Sequence, residues 1–271
     1  MMPAFWILFS AILCFFPISF LVYVASERVN AIHQARVGKA IGMGGFFSQS
    51  WIDMIADLKT MRSRALVGIY ILQYLILFFL DFDLKLVFLI YLALNALVLT
   101  LSSKVDLEDV ESRIESDRKQ MRFLLASVLA FISAFVCFIH SGSTSLAHVV
   151  WSPVYLVFLP VFVIAGMILF GEYPFSGVVR ESSRWIDSAR FYIWCVLATQ
   201  LFLGGSAFFV DLHLKAAVLF VFFRLLAQYF PRYTQKDVFR LGVVYLIPIA
   251  LILWFWVTIV HGVWASGGFN V

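Results

Sequence analysis

Long apolar stretches alternate with short polar ones along the whole chain, on a length scale set by a lipid bilayer. A helix needs roughly 20 mostly apolar residues to cross the hydrocarbon layer. Eight stretches qualify, at 4–24, 65–80, 86–101, 123–140, 150–171, 191–210, 214–230 and 241–260. The first has no basic segment ahead of it, an apolar run too long for a signal peptide, and no small-x-small cleavage site before Ser26, so it is read as a retained span. The pattern predicts an all-α fold: a polytopic integral membrane protein, one transmembrane domain over 1–271 with about eight transmembrane helices. A shorter amphipathic stretch, 46–59, places Phe47, Trp51, Met54, Ile55 and Leu58 on one helical face and Gln49, Asp53 and Asp57 on another. It is too short to span and is read as an interfacial helix whose polar stripe is either a solvated face or the wall of a docking cavity.

Charge orients this picture. Arg28, Arg36, Lys39, Lys59, Arg62 and Arg64 lie in the first connection, and Lys104, Arg113, Arg118, Lys119 and Arg122 in the third. Arg180, Arg184 and Arg190 lie in the fifth, and Arg232, Lys236 and Arg240 in the seventh. The intervening connections hold only Lys85 and Lys215. The positive-inside bias therefore puts the basic loops on the cytoplasmic or matrix side and both termini outside. Composition agrees: 63% of the 271 residues are apolar and 13% charged, with a mean hydropathy of +0.96. Ordinary soluble domains run at about 45–50% apolar and about 25% charged. The same figures exclude disorder, and a formal charge of +4, placed on one side, does not point to nucleic acid.

All acidic residues fall in loops or at helix ends, and Arg224 is the one formal charge inside a predicted span. It either snorkels to the inner surface or serves as an ion-pair partner or cavity lining, and both readings stay open. Cys14, Cys137 and Cys195 sit in apolar runs without C-x-x-C spacing and read as small buried hydrophobes. His140, His148, His213 and His261 fall on the outer side in no metal-ligand pattern and read as interfacial polar residues. Segment 104–120, dense in both signs of charge, reads as a solvated helix or loop. Glu181, Arg184 and Asp187 stand at i, i+3 and i+6 on an inner loop, able to form a local ion-pair network. Pro174 and Pro231 end the fifth and seventh spans, and Pro248 frees a backbone carbonyl inside the eighth.

Three inner-side segments, in this order, resemble the quinone-site membrane subunit of respiratory complex I (its subunit 1) and its relatives in membrane-bound hydrogenases. After the first span, Arg28, Gln34, Arg36 and Gly38 match the family's E-R-[KR]-x5-Q-x-R-x-G pattern, and Gln49 and Asp53 its Q-x3-D. Ser26 and Glu27 replace that motif's leading Glu-Arg, and Lys39-Ala40 its Pro-Asn. After the fifth span, Pro174, Phe175 and Glu181 match the P-F-D…E-x-E-x-E loop, with Ser176, Val179 and Ser183 in place of the other acids. Arg224, Pro231, Arg232, Gly242 and Pro248 resemble the third signature. The likeness covers nearly the whole chain in topology and about a dozen positions in identity.

The resemblance implies a subunit of NADH:quinone oxidoreductase that carries no redox centre and no metal of its own. Its inner loops would form part of the chamber in which a quinone, ubiquinone above all, is the substrate. The chamber lining it implies is Arg28, Gln34, Arg36, Gln49, Asp53, Phe175, Glu181 and Arg232, with Glu27, Glu172, Asp187 and Arg224 as proton-coupling candidates. Iron–sulfur clusters and flavin are expected on partner subunits: the peripheral-arm proteins that carry the terminal cluster, alongside other small hydrophobic membrane-arm subunits and lipid. Guanidinium groups at Arg28 and Arg36 suit the anions formed as a quinone is reduced, because their charge cannot be titrated away. Family members carry acids within mid-chain spans, where this chain has Phe131, Ala134, Ala198, Thr199 and Gln200. The resemblance therefore implies quinone chemistry with a rewired or weakened proton route. High phenylalanine content and short loops favour the mitochondrial inner membrane over a bacterial cytoplasmic membrane. The competing classes are a subunit of an energy-converting hydrogenase, a non-catalytic membrane anchor and a small transporter. The halves show no internal repeat of the kind a transporter usually carries.

Overall fold

Leucine, alanine and aromatic runs without internal glycine clusters favour helix, and the backbone hydrogen bonds of so apolar a chain are met most simply within helices. The computed structural model describes residues 18, 20, 21 and 24 and the segments 61–76, 84–102, 110–140, 153–170, 184–204, 209–227, 229–230 and 233–266. Among these residues there is helix and turn and no strand. The elements are α1 (Met61–Ile76), α2 (Leu84–Ser102) and α3 (Val110–His140), then a 3-10 turn (Pro153–Phe158) running into α4 (Leu159–Phe170). They continue with α5 (Arg184–Phe202) and α6 (Phe209–Ala227), and then α7 (Gln235–Arg240), a π-helical turn (Leu241–Leu246) and α8 (Ile247–Ser266) follow one another without a break. Among the described residues two helices are, by length and composition, long and apolar enough to cross a membrane, Asp117–Cys137 and Gln235–Val260. Ala65–Ile76, Leu86–Val98 and Val154–Phe170 are apolar but shorter.

Seven of the predicted apolar stretches thus coincide with helices, at shifted boundaries. The charge-dense segment is helical from Val110 onward and continuous with the apolar part of α3. Helix α5 starts at Arg184 and ends at Phe202, well before the expected 210. The Leu203 N–H closes onto the Thr199 carbonyl at 3.0 Å, and Gly204 takes the left-handed conformation (φ 75°) that glycine adopts without a Cβ penalty. The chain then turns into α6, which packs against α5. Helix α6 closes at its far end by short turns from Tyr229 N to Leu226 O and Phe230 N to Ala227 O, both 3.1 Å, just ahead of Pro231.

Pro248 lacks an N–H and its ring would press on the carbonyl four residues back. The chain answers with the π turn immediately before it, where the Ile247 N–H reaches the Gly242 carbonyl five residues back. The same turn presents Gly242 to Leu125 of α3 so closely that a Cβ there would overlap the leucine side chain. Arg122 Nε donates to Gln235 Oε1 at 2.8 Å, about one turn earlier on α3, where that helix meets α7.

The last helix begins with a complete capping box, ahead of the apolar stretch 241–260. Thr234 Oγ1 accepts from the Asp237 N–H (3.3 Å), and the Thr234 N–H donates to Asp237 Oδ2 (3.1 Å). Bonds from the Thr234 hydroxyl and backbone hold the exposed Asp237 carboxyl below its ordinary range. A depressed carboxylate contributes stability that is present above the ordinary aspartate value of 3.8 and is lost as the pH falls through the lower folded value. Asp237→Asn is therefore expected to abolish the acid fraying of the 234–240 turn. Amide hydrogen exchange at Val238–Arg240, followed from neutral to acid pH, checks this: an unchanged acid profile in the variant would remove the carboxylate from the account.

At the centre, α2, α4 and α5 interlock through aromatic rings. Trp194 is completely buried, stacks on Phe162 (centroids 4.5 Å apart, planes 14°) and meets Phe170 edge-on at 5.8 Å. Its Nε1–H donates to the Phe162 carbonyl at 2.8 Å. Gly166 makes this possible, since a Cβ at that position would occupy the indole's place. Polar side chains in the buried helices bond back to their own backbone: Ser133 to Leu129 O (2.8 Å), Thr199 to Cys195 O (2.8 Å) and Asn95 to Tyr91 O (2.9 Å). Cys137 and Cys195 are buried thiols, as the sequence indicates for small hydrophobes, and Cys14 lies outside the described residues.

Candidate functional site

Among the described residues most of the buried polar side chains lie on α1, α2, α5 and α6, with Ser133 on α3. The α5–α6 pair carries the first group. Here Arg224 Nη2 donates to Ser188 Oγ at 3.2 Å. Its guanidinium carbon lies 5.4 Å from the Phe220 ring centroid and 5.9 Å from that of Phe191, within cation–π range. Arg224 is buried (9% exposed), its guanidinium turned against Ser188, Phe191 and Phe220.

A second arginine behaves alike. Because α5 begins at Arg184, Arg190 falls within a helix and not in a loop. Its guanidinium carbon sits 4.8 Å from the Phe170 centroid and 5.3 Å from that of Tyr70 on α1. Aromatic faces supply the negative side of a ring quadrupole, a way to hold a cation where carboxylates are scarce.

The third group is a chain of three side chains from three helices. His213 on α6 is 8% exposed, with Nε2 at 2.8 Å from the Tyr74 hydroxyl and Nδ1 at 2.7 Å from the Tyr192 hydroxyl. A neutral imidazole has one donor and one acceptor nitrogen. One tyrosine therefore donates to the ring while the other accepts from it. His213 is thus a buried crosslink between α1, α5 and α6, near the start of α6. The Asp211–Lys215 ion pair (2.9 Å) lies on the same helix, exposed on either side of it in sequence.

Between the second and third groups, α1 turns Tyr70, Gln73 and Tyr74 inward, and α2 turns Tyr91 and Asn95 inward. The positions where the resemblance implies acids are described too: Ala134 and Ala198 are sealed in the core, Thr199 and Gln200 are buried, and Phe131 is 45% exposed.

Of the residues that the resemblance implies for the quinone chamber and for proton coupling, Arg224 alone has a described side chain. Asp187 lies in the first turn of α5, but its side chain is outside the described residues. Glu27, Arg28, Gln34, Arg36, Gln49, Asp53, Glu172, Phe175, Glu181 and Arg232 all lie outside the described residues, as does the predicted interfacial helix. Sequence reading placed Arg190 in a connection and gave no sign of the Tyr74–Tyr192 pair that brackets His213. Tyr70, Gln73 and Tyr74 at i, i+3 and i+4 were a usable signal of a polar stripe within an apolar helix, whereas nothing local marks Tyr192 as their partner.

No protein-family model matches the chain, and no curated protein matches it either.

Proposed function

We propose that the chain is an integral membrane subunit of about eight spans that forms part of a quinone-binding chamber in an NADH:quinone oxidoreductase of the complex I type. The observation that carries this is the order of three motif-bearing segments, Arg28–Gly38 with Gln49 and Asp53, Pro174–Glu181, and Arg224–Pro248, all in basic connections or at the ends of apolar helices that adjoin them. Support for the membrane part comes from the outward faces of the helices. Leu89, Leu124, Val218, Phe222, Ile252, Phe255 and Ile259 are among many large apolar side chains left exposed, and soluble monomers rarely expose apolar patches on that scale. Burial of Arg224 at one end of the α5–α6 pair adds a fixed positive group near the third motif.

In this reading the quinone is a substrate whose tail follows apolar helix faces and whose headgroup meets a few fixed polar groups at the membrane surface. Arg28 and Arg36 oppose the negative charge of the reduced headgroup, and Glu27, Asp53 and Glu181 respond to it by changing protonation. The terminal cluster belongs to a partner, and the mitochondrial inner membrane is the favoured location.

The test is isolation of the tagged chain from its native membrane, with mass spectrometry of what accompanies it and assay of quinone reduction. Cluster-bearing hydrophilic subunits are expected in the preparation, and Arg36→Met is expected to lower its quinone reduction at least about tenfold, the loss of ~1.4 kcal/mol of charge stabilisation, without dispersing the subunits. A chain that purifies alone, an assembly that evolves hydrogen without reducing quinone, or an Arg36→Met assembly of normal activity overturns the assignment.

A further inference from the structure

The wedge between α1, α2 and α5 contains polar atoms that the protein does not satisfy. Gln73 and Asn95 are each 1% exposed and Tyr91 is fully buried. Among the described residues Gln73 Nε2, Asn95 Oδ1 and the Tyr91 hydroxyl meet no hydrogen-bond partner. The Asn95 amide nitrogen is already committed to the Tyr91 carbonyl. The Tyr91 hydroxyl lies near enough to Arg190 and to the Asn95 side chain to feel both, but its geometry completes a hydrogen bond with neither. Three such atoms in one core are unusual, because more than about 90% of buried polar groups in folded proteins are paired.

These atoms share a neighbourhood. Arg190 stands over Tyr70 and within electrostatic reach of Tyr91, whose ring packs 5.7 Å from Trp194. Gln73 is one helical turn beyond Tyr70 on α1, and Asn95 one turn beyond Tyr91 on α2. The two helices are joined by the short 77–83 connection, so these turns lead in opposite directions from the Arg190 level. The orphaned donor and acceptor are therefore separated by about two turns, ~10 Å, with the Tyr91 hydroxyl between them. The set is mixed in kind: a donor-only amide nitrogen, an acceptor-only amide oxygen and a hydroxyl that does either.

We infer that this wedge is a binding site for a short file of ordered water, held by Gln73 Nε2, the Tyr91 hydroxyl and Asn95 Oδ1. Water is the ligand that fits. Each molecule both donates and accepts, two or three of them at ~2.8 Å steps bridge the distance, and buried waters characteristically serve polar groups that are otherwise unsatisfied. The file puts a polar compartment beside Arg190, so that its guanidinium is solvated from within the bundle.

The test uses the full chain in lipid bilayers and does not depend on any partner or on quinone, so its failure and that of the proposed function are separable. With the side-chain amides labelled, magnetisation is expected to pass from water to the Gln73 and Asn95 amide protons within milliseconds. The equally buried Trp194 indole N–H, bonded to Phe162, is the dry reference and should receive none. Tyr91→Phe and Gln73→Leu are each expected to lower the melting temperature by several degrees. The double variant is expected to lose less than the sum, since both groups hold the same waters. Dry amides in the wild-type chain, or apolar substitutions that raise the melting temperature by removing unsatisfied groups, would overturn the inference.

Discussion

Replacing Trp194 with alanine is expected to destabilise the helical bundle by about 3–5 kcal/mol, the usual range for truncating a large buried aromatic. The residue is fully buried and touches Phe162, Phe170 and Tyr91, so no single neighbour can collapse into the space it leaves. The loss has two parts: burial of a large ring, and a hydrogen bond from Nε1 to the Phe162 carbonyl. Trp194→Phe separates them, because it keeps most of the ring packing and removes only the donor. Denaturant titration of the purified chain in detergent, followed by circular dichroism, measures both. A loss under about 1 kcal/mol for the alanine variant would mean that the stack does not organise the core. Gly166→Leu attacks the same contact from the other side. It is expected to be at least as damaging as the phenylalanine variant, since the indole must leave its place for the new side chain to enter.

The second large effect concerns His213. Its replacement by leucine removes the ring nitrogens that meet two buried tyrosine hydroxyls, Tyr74 and Tyr192. Leaving a buried polar group unsatisfied costs about 1–3 kcal/mol, so the Tyr192 hydroxyl alone predicts a loss of that size. The informative experiment is rescue. Adding Tyr74→Phe and Tyr192→Phe to His213→Leu removes both hydroxyls and should restore most of the loss, giving a triple variant more stable than the single one. If the triple variant is instead the least stable, ring packing and not hydrogen bonding is what the cluster contributes. Tyr192 also meets Phe220 edge-on at 6.1 Å, a contact that the phenylalanine variant keeps, which makes the comparison clean.

Both predictions depend on contacts between residues far apart in the chain, and this divides what could be read from the linear order. Helix identity and approximate extent were legible for the apolar helices α1 to α6 and α8, because run length and apolar content are local properties that a segment carries with it. Boundaries were less so. The end of α5 depends on one glycine at positive φ, and the start of α3 lies within a segment whose mixed charges suit a solvated helix and a loop equally well. Pro248 was seen as a break in the ladder, but the π turn that absorbs it was not, since either the helix or its neighbours can take up the freed carbonyl.

For the interior site the balance shifts further toward packing. Arg224 was visible as a charge in an apolar run, yet whether it turned outward or inward depended on the presence of Ser188, Phe191 and Phe220 across the α5–α6 contact. His213 was counted, but its two tyrosine partners were not. Its neighbours in sequence, Asp211 and Lys215, are exposed, and that polar context masked a side chain pointing the other way.

Run lengths, the one-sided basic connections and the three motif segments can be read from the order of residues, because each is a sum over neighbours within a single element. Which face of each helix turns inward, and hence that Tyr74 meets His213 across 139 residues and Trp194 closes over Gly166, is settled only when the helices rotate and slide against one another. The reason is geometric. Adjacent positions on a helix differ by about 100° in direction, so the choice between core and surface for any one side chain rests on the partner helix and not on the residues beside it.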